Sequence, residues 1–98
     1  MAEIRWTEES VRWMKYIHEF ILKENPKAAD KVVAGIYEKT QILSEFPEIG
    51  YVYRCEGNHK IRILVYGHYK ITYLIKSLSD VEILGIFHGA MDIDKYIF

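Results

Sequence analysis

The residues best placed to handle anions lie in the second half of this 98-residue chain. Residues 54–76 carry Arg54, Lys60, Arg62, Lys70 and Lys76 against Glu56 alone, with His59 and His68 added. Such a stretch can hold phosphates or carboxylates. The first 49 residues are the reverse, with seven Lys or Arg against nine Asp or Glu, and the formal net charge is −1. The whole molecule is therefore no electrostatic trap for nucleic acid. No set of Cys, His and carboxylate residues has metal-ligand spacing, and no cofactor is expected. Cys55 is the only cysteine, which excludes an internal disulfide. Eight tyrosines suit surfaces that are half buried and half wet, either as core or as contacts with a partner.

The elements that must position these groups are legible as two kinds of periodicity. Ile4 and Trp6 alternate with Glu3, Arg5 and Thr7 in a short strand. Thr7 can cap a helix over Glu8–Lys23, with Glu8 and Glu9 favourable in its first turn. Val11, Met14, Ile17 and Ile21 make its apolar stripe, and Trp13, Tyr16 and Phe20 widen it beyond what one short helix needs for packing. Asn25-Pro26 stops this helix and opens the next, over residues 26–46, which should bury Ala29, Val32, Val33, Ile36, Thr40 and Leu43. Gly35 either weakens this second helix or lets a neighbour approach closely. Two helices so tightly joined should form an antiparallel hairpin.

From residue 60 the period changes to two. Residues 60–66, 69–76 and 81–88 read as three strands, with Gly67-His68 as a Gly-X hairpin turn and a further turn over 77–80. The predicted order is β-α-α-β-β-β, a single α+β domain over residues 1–98 with the helical hairpin on one face of a mainly antiparallel sheet. Leu64, Leu74, Leu84 and Ile86 are expected on the opposite face, where something must cover them. Ile93, Tyr96, Ile97 and Phe98 make the last six residues apolar enough to dock, on the chain's own sheet or on a partner. Met1-Ala2-Glu3-Ile4 leads into a charged stretch rather than a signal sequence, and no apolar run nears the roughly 20 residues that cross a membrane. The cytoplasm is the expected location, with no membrane partner.

Several segments together resemble the RelE/ParE superfamily of toxins, closest to its ParE-like, plasmid-stabilisation type. They are Ile4-Arg5-Trp6-Thr7-Glu8-Glu9, Asn25-Pro26-Lys27-Ala28-Ala29, Phe46-Pro47-Glu48-Ile49-Gly50, Ile61-Arg62-Ile63-Leu64-Val65 and Tyr69-Lys70-Ile71-Thr72-Tyr73. The ending Ile86-Phe87-His88-Gly89-Ala90-Met91-Asp92 is similar to the family's His-Gly-x-Arg-Asp signature, with Met91 in place of arginine. The resemblance implies the RelE-like fold and a toxin neutralised by a cognate antitoxin. Its target would be DNA gyrase, as in ParE-like members, or messenger RNA on the ribosome, as in RelE-like ones; Met91 also suggests a third reading, a non-toxic member that only binds antitoxin. Under the ribonuclease alternative the resemblance points to Lys60, Arg62, His88 and Tyr96 as the catalytic set, with proton transfer and phosphate neutralisation as their work. For contacts with antitoxin or target the expected residues are Trp13, Tyr16, Phe20, Arg54, Ile93, Tyr96 and Phe98. A structural reading of Arg62, as the partner of Asp92 or Asp94 in the tail, stands beside the catalytic one. Met91 and the near-neutral charge favour gyrase and binding over chemistry.

Overall fold

The structure, a computed structural model, describes residues 1–89, 91 and 93–97; for Tyr96 and Ile97 only the backbone is described. Strand β1 (Glu3–Trp6) leads into helix α1 (Glu8–Leu22). Thr7 caps that helix: its Oγ1 accepts the Ser10 N–H at 3.1 Å and donates to the Ile83 carbonyl at 2.8 Å. One hydroxyl thus ends a strand, starts a helix and ties both to the sheet. Helix α2 (Pro26–Gln41) has Asn25 as its cap, with the side chain accepting from the Ala28 N–H, and Pro26 at the first helical position. It stops five residues sooner than its apolar spacing predicts, because Ile42–Ser44 tightens into a 3-10 turn that turns the chain towards the sheet.

Four strands follow, not three: β2 (Tyr51–Glu56), β3 (His59–Tyr66), β4 (Tyr69–Ser77) and β5 (Asp80–His88), then a short helix α3 (Asp94–Ile97). The sheet order is β1-β5-β4-β3-β2, antiparallel except for the parallel pair β1–β5. Strand β2 escapes the alternation rule for two reasons. All six of its residues are exposed, so neither face selects apolar side chains, and a register shift at Tyr53 breaks the period. Gly57 and Gly67, both at φ +58°, sit first in the two-residue turns that join β2 to β3 and β3 to β4.

The main core lies between the helical hairpin and one sheet face. Ile17, Ile36 and Leu43 pack there on Leu64, Ile71, Tyr73, Val81, Ile83 and Ile86. Leu64 and Ile86 therefore face the helices, contrary to the sequence expectation. Ile61 and Ile63 lie on the reverse face, and Leu74, paired with Ile61, lies there as expected. Alternation groups residues by face, but when both faces carry apolar side chains it does not say which is inner. At Gly35 the helix α2 backbone meets the Tyr66 ring so closely that any Cβ would overlap the Tyr66 hydroxyl. On the reverse face a second, smaller cluster forms from Ile63, Phe87 and Ile93, with Met91 and Trp13 against it. Ile93 is only 4% exposed, so the start of the tail docks on the chain's own sheet. The face is covered only in part: Val65 stays half exposed. Among the described residues no helix is long and apolar enough to cross a membrane.

Candidate partner-binding groove

Helix α1 leans across the end of the sheet where β5 outruns β1. Strand β1 pairs only with Asp80–Ile83, so the second half of β5 has α1 rather than a strand beside it. Trp13 fills this junction, its ring meeting Phe87 edge-on at 4.8 Å. Trp13 also meets Tyr16 edge-on at 6.0 Å, and Tyr16 stacks with Phe20 at 6.4 Å, so the three rings form one ladder along α1. Between this ladder and the sheet end runs a groove of about 290 Å³, floored by Ile17, Tyr69, Ile86 and Met91 and closed at one side by His88. A second hollow of about 540 Å³ continues it past Trp13, rimmed by the Glu9–Arg12 ion pair (2.8 Å).

The rings are not used up by the fold. Tyr16 is 58% and Phe20 65% exposed, although each sits beside buried Ile17. An intramolecular core would have closed over them; isolated exposed rings need no explanation, but a ladder of rings along a concave surface makes this groove the candidate site. At the groove's far end His88 packs on the Tyr69 ring and stacks with His68 at 6.3 Å, so two imidazoles stand together beside Lys70. Sequence periodicity singles out Trp13, Tyr16 and Phe20; it does not reveal that Tyr69, Met91 and His88 complete the groove, because the pairing of β4 with β5 brings them there.

The four residues named for phosphodiester chemistry are distributed differently. Arg62 donates through Nη1 to the backbone carbonyls of Glu48 (3.1 Å) and Gly50 (2.8 Å), which holds the Pro47–Gly50 turn against β3. Lys60 is exposed two residues earlier on the same strand. Arg62 lies opposite Tyr73 and His88 opposite Tyr69, four residues apart along β4, which separates them by about 13 Å in the strand direction alone. The Tyr96 side chain and all of Phe98 lie outside the described residues, as do Asp92 and Ala90. Of the two tail carboxylates expected to meet Arg62, Asp92 lies outside the described residues, and Asp94 accepts from the Tyr53 hydroxyl at 2.8 Å and pairs with Arg54 at 3.6 Å. Arg54 and Ile93 thus meet the tail itself, Ile93 as part of it and Arg54 as its anchor. Among the described residues no group of three or more His, Cys, Asp or Glu could hold a metal ion.

The Pro47–Gly50 turn is knotted by a second buried group that sequence reasoning did not single out. The Tyr73 hydroxyl accepts the Gly50 N–H (2.9 Å) and donates to the Pro47 carbonyl (2.8 Å). Burial raises the Tyr73 pKa above its ordinary value, against the opposing effects of the Gly50 hydrogen bond and the Arg62 charge. A Cβ on Gly50 would stand 2.6 Å from that hydroxyl and 2.7 Å from the Ile63 carbonyl, so the turn requires glycine.

An α-helical hairpin on one face of a five-stranded sheet, with an aromatic groove beside it, defines a small α+β protein. The chain belongs to the ParE toxin family of type II toxin–antitoxin systems (parDE), whose family model matches residues 4–93. It is 36% identical over 86 residues to a protein of Sinorhizobium fredii (strain NBRC 101917 / NGR234) named "Putative toxin Y4kP", covering 88% of this chain and 86% of that relative. In fold it is similar to a solved chain of the chromosomal ParDE TA system from P. aeruginosa. That match has a TM-score of 0.75 at 21% identity and covers 90% of this chain and 96% of that one.

Proposed function

We propose that this toxin is silenced by an antitoxin segment laid in the groove beside α1, and that it acts on DNA gyrase by binding rather than by cleaving RNA. The observation that carries the first half is the Trp13–Tyr16–Phe20 ladder, its Tyr16 and Phe20 rings exposed and Trp13 half-buried at its base, over the groove that His88 and Met91 complete. A segment presenting apolar side chains at helical spacing would bury those rings and gain on the order of 1.5–3 kcal/mol for each large side chain covered. The family's parDE assignment supports the pairing with an antitoxin. A disordered segment that folds as it binds would order itself along this surface, so the complex should be more stable than the free toxin.

Two observations support the second half. Arg62 spends its guanidinium on the Pro47–Gly50 turn, and His88 stands at the other end of the strands. The near-neutral molecule also lacks the positive field that favours an enzyme of ribosome-bound RNA. Replacing Tyr16 and Phe20 together by alanine should weaken antitoxin binding by at least about a hundredfold, measured by calorimetry, because two large rings lose their burial. Toxin added to purified gyrase should inhibit supercoiling, and a pulse of toxin in cells should leave translation running while DNA damage signalling rises. Prompt arrest of translation with cut messages would move the assignment to RNA cleavage.

A further inference from the structure

Strand β2 ends the sheet, and among the described residues no strand pairs with its outer edge. Its sequence there is Arg54-Cys55-Glu56, and Arg54 and Glu56 lie close enough on one face to make an ion pair at 2.8 Å. Glu56 and His59 close the two-residue Gly57-Asn58 turn, so their backbone groups point towards β3. Alternation then aims the N–H and C=O of Cys55 away from β3, at the open edge. An open edge with outward backbone groups is a template for another strand, unless charge or a bulge forbids it.

We infer that two copies of this chain associate through β2, antiparallel about a two-fold axis at Cys55, so that each Arg54 faces Glu56 of the other copy. The charges select this register over its neighbours. Centring the axis on Arg54 sets arginine against arginine, and centring it on Glu56 sets glutamate against glutamate; like charges directly opposite one another disfavour pairing. Only the Cys55-centred register makes opposite charges meet on both sides. The bulge at Tyr53 limits the overlap to a few residues, so the pairing is weak and reversible rather than obligate. Arg54's contact with Asp94 is made to the tail segment whose Ile93 is buried against Ile63 and Phe87 on the reverse face of the sheet. This surface is distinct from the α1 groove, so the inference does not depend on how antitoxin binds.

The register carries its own probe. Residues opposed as a hydrogen-bonded antiparallel pair have Cα atoms about 5.5 Å apart. A disulfide accepts roughly 4.4–6.8 Å. Added diamide should therefore link Cys55 to its counterpart: the two thiols form one S–S bond, and their two electrons and two protons pass to the diamide, which becomes the hydrazine. The test uses the full chain at high micromolar concentration, its mass read by sedimentation with and without diamide. The wild type should dimerise and crosslink, and Cys55→Ser should still dimerise but not crosslink, because the thiol reports the contact without making it. Glu56→Arg leaves the Arg54–Asp94 contact in place and should weaken self-association about tenfold or more. Mixing Glu56→Arg with Arg54→Glu should restore a dimer that neither forms alone, since every opposed pair is again oppositely charged. A wild type that stays monomeric, a Glu56→Arg variant that crosslinks as fully as wild type, or a mixture that stays monomeric would each overturn the inference. Circular dichroism checks that the variants fold, and the Cys55→Ser comparison stands apart from any charge change.

Discussion

Tyr73 is the residue on which the Pro47–Gly50 turn depends most. Its hydroxyl both accepts and donates, and removing it strands a glycine N–H and a proline carbonyl. Tyr73→Phe should cost about 1–3 kcal/mol. In a chain of this size that lowers Tm by roughly 4–8 °C for each kcal/mol, readable by scanning calorimetry at neutral pH. The same residue gives a pH dependence whose sign follows from its raised pKa. Below the ordinary tyrosine value of 10.0 the phenol is protonated in folded and unfolded chains alike, and its contribution is whole. As the pH climbs past that value the unfolded chain ionises first, and the contribution drains away until the folded phenol ionises too. The wild type should therefore lose stability above pH 10 more steeply than Tyr73→Phe; parallel slopes would show that the phenol is not the group responsible. Arg62 works on the same turn through two carbonyls, and that explains why its role was hard to read beforehand. Its partners are backbone atoms of residues 12 and 14 positions away, which no side-chain pattern announces.

At the scale of elements, the ends of the helices were the most legible part of the chain. Thr7 and Asn25-Pro26 act as their chemistry requires, since a short polar side chain followed by a first helical turn has few other uses. Thr7→Ala should cost about 1–2 kcal/mol, at the high end for a cap because the hydroxyl also holds the Ile83 carbonyl. Urea unfolding with an unchanged slope would show that stability alone has moved. Strand β2 was illegible for the opposite reason: an edge strand exposed along its whole length imposes no alternation. The tail lies between these cases. Its apolar residues predict docking, yet two attachments compete for the credit. The Asp94 contacts to Arg54 and Tyr53 are half exposed and contribute less than about 1 kcal/mol. Ile93, buried between Ile63 and Phe87, contributes more. Ile93→Ala should speed amide exchange over residues 93–97 by tenfold or more, whereas Asp94→Ala should change it by less. Equal effects would show that the ion pair shares the load.

For the whole molecule, the fold class and the helical hairpin follow from sequence periodicity, while the groove does not. Its aromatic wall is written on one helix, but its floor is assembled from β4, β5 and Met91, and no local signal joins residues that far apart. The same holds for the direction each strand faces, where Leu64 and Ile86 turned out to lie beneath the helices. The molecule's stability should rise when antitoxin is present, with a melting temperature that climbs with antitoxin concentration, as expected for a partner that binds only the folded state. A midpoint indifferent to antitoxin would place the binding elsewhere than on a folded groove.

The parallel pairing of β1 with β5 joins Glu3 to Asp80. During synthesis the first strand waits for its neighbour until Asp80 and the residues after it have been made, on the order of ten seconds at ordinary ribosomal speeds. Nascent chains cut short before Asp80 lack the strand that should receive residues 3–6, and with it the Ile83 carbonyl that Thr7 anchors. Any activity that requires the complete sheet therefore begins only after β5 has been made, and products truncated before Asp80 should be inert.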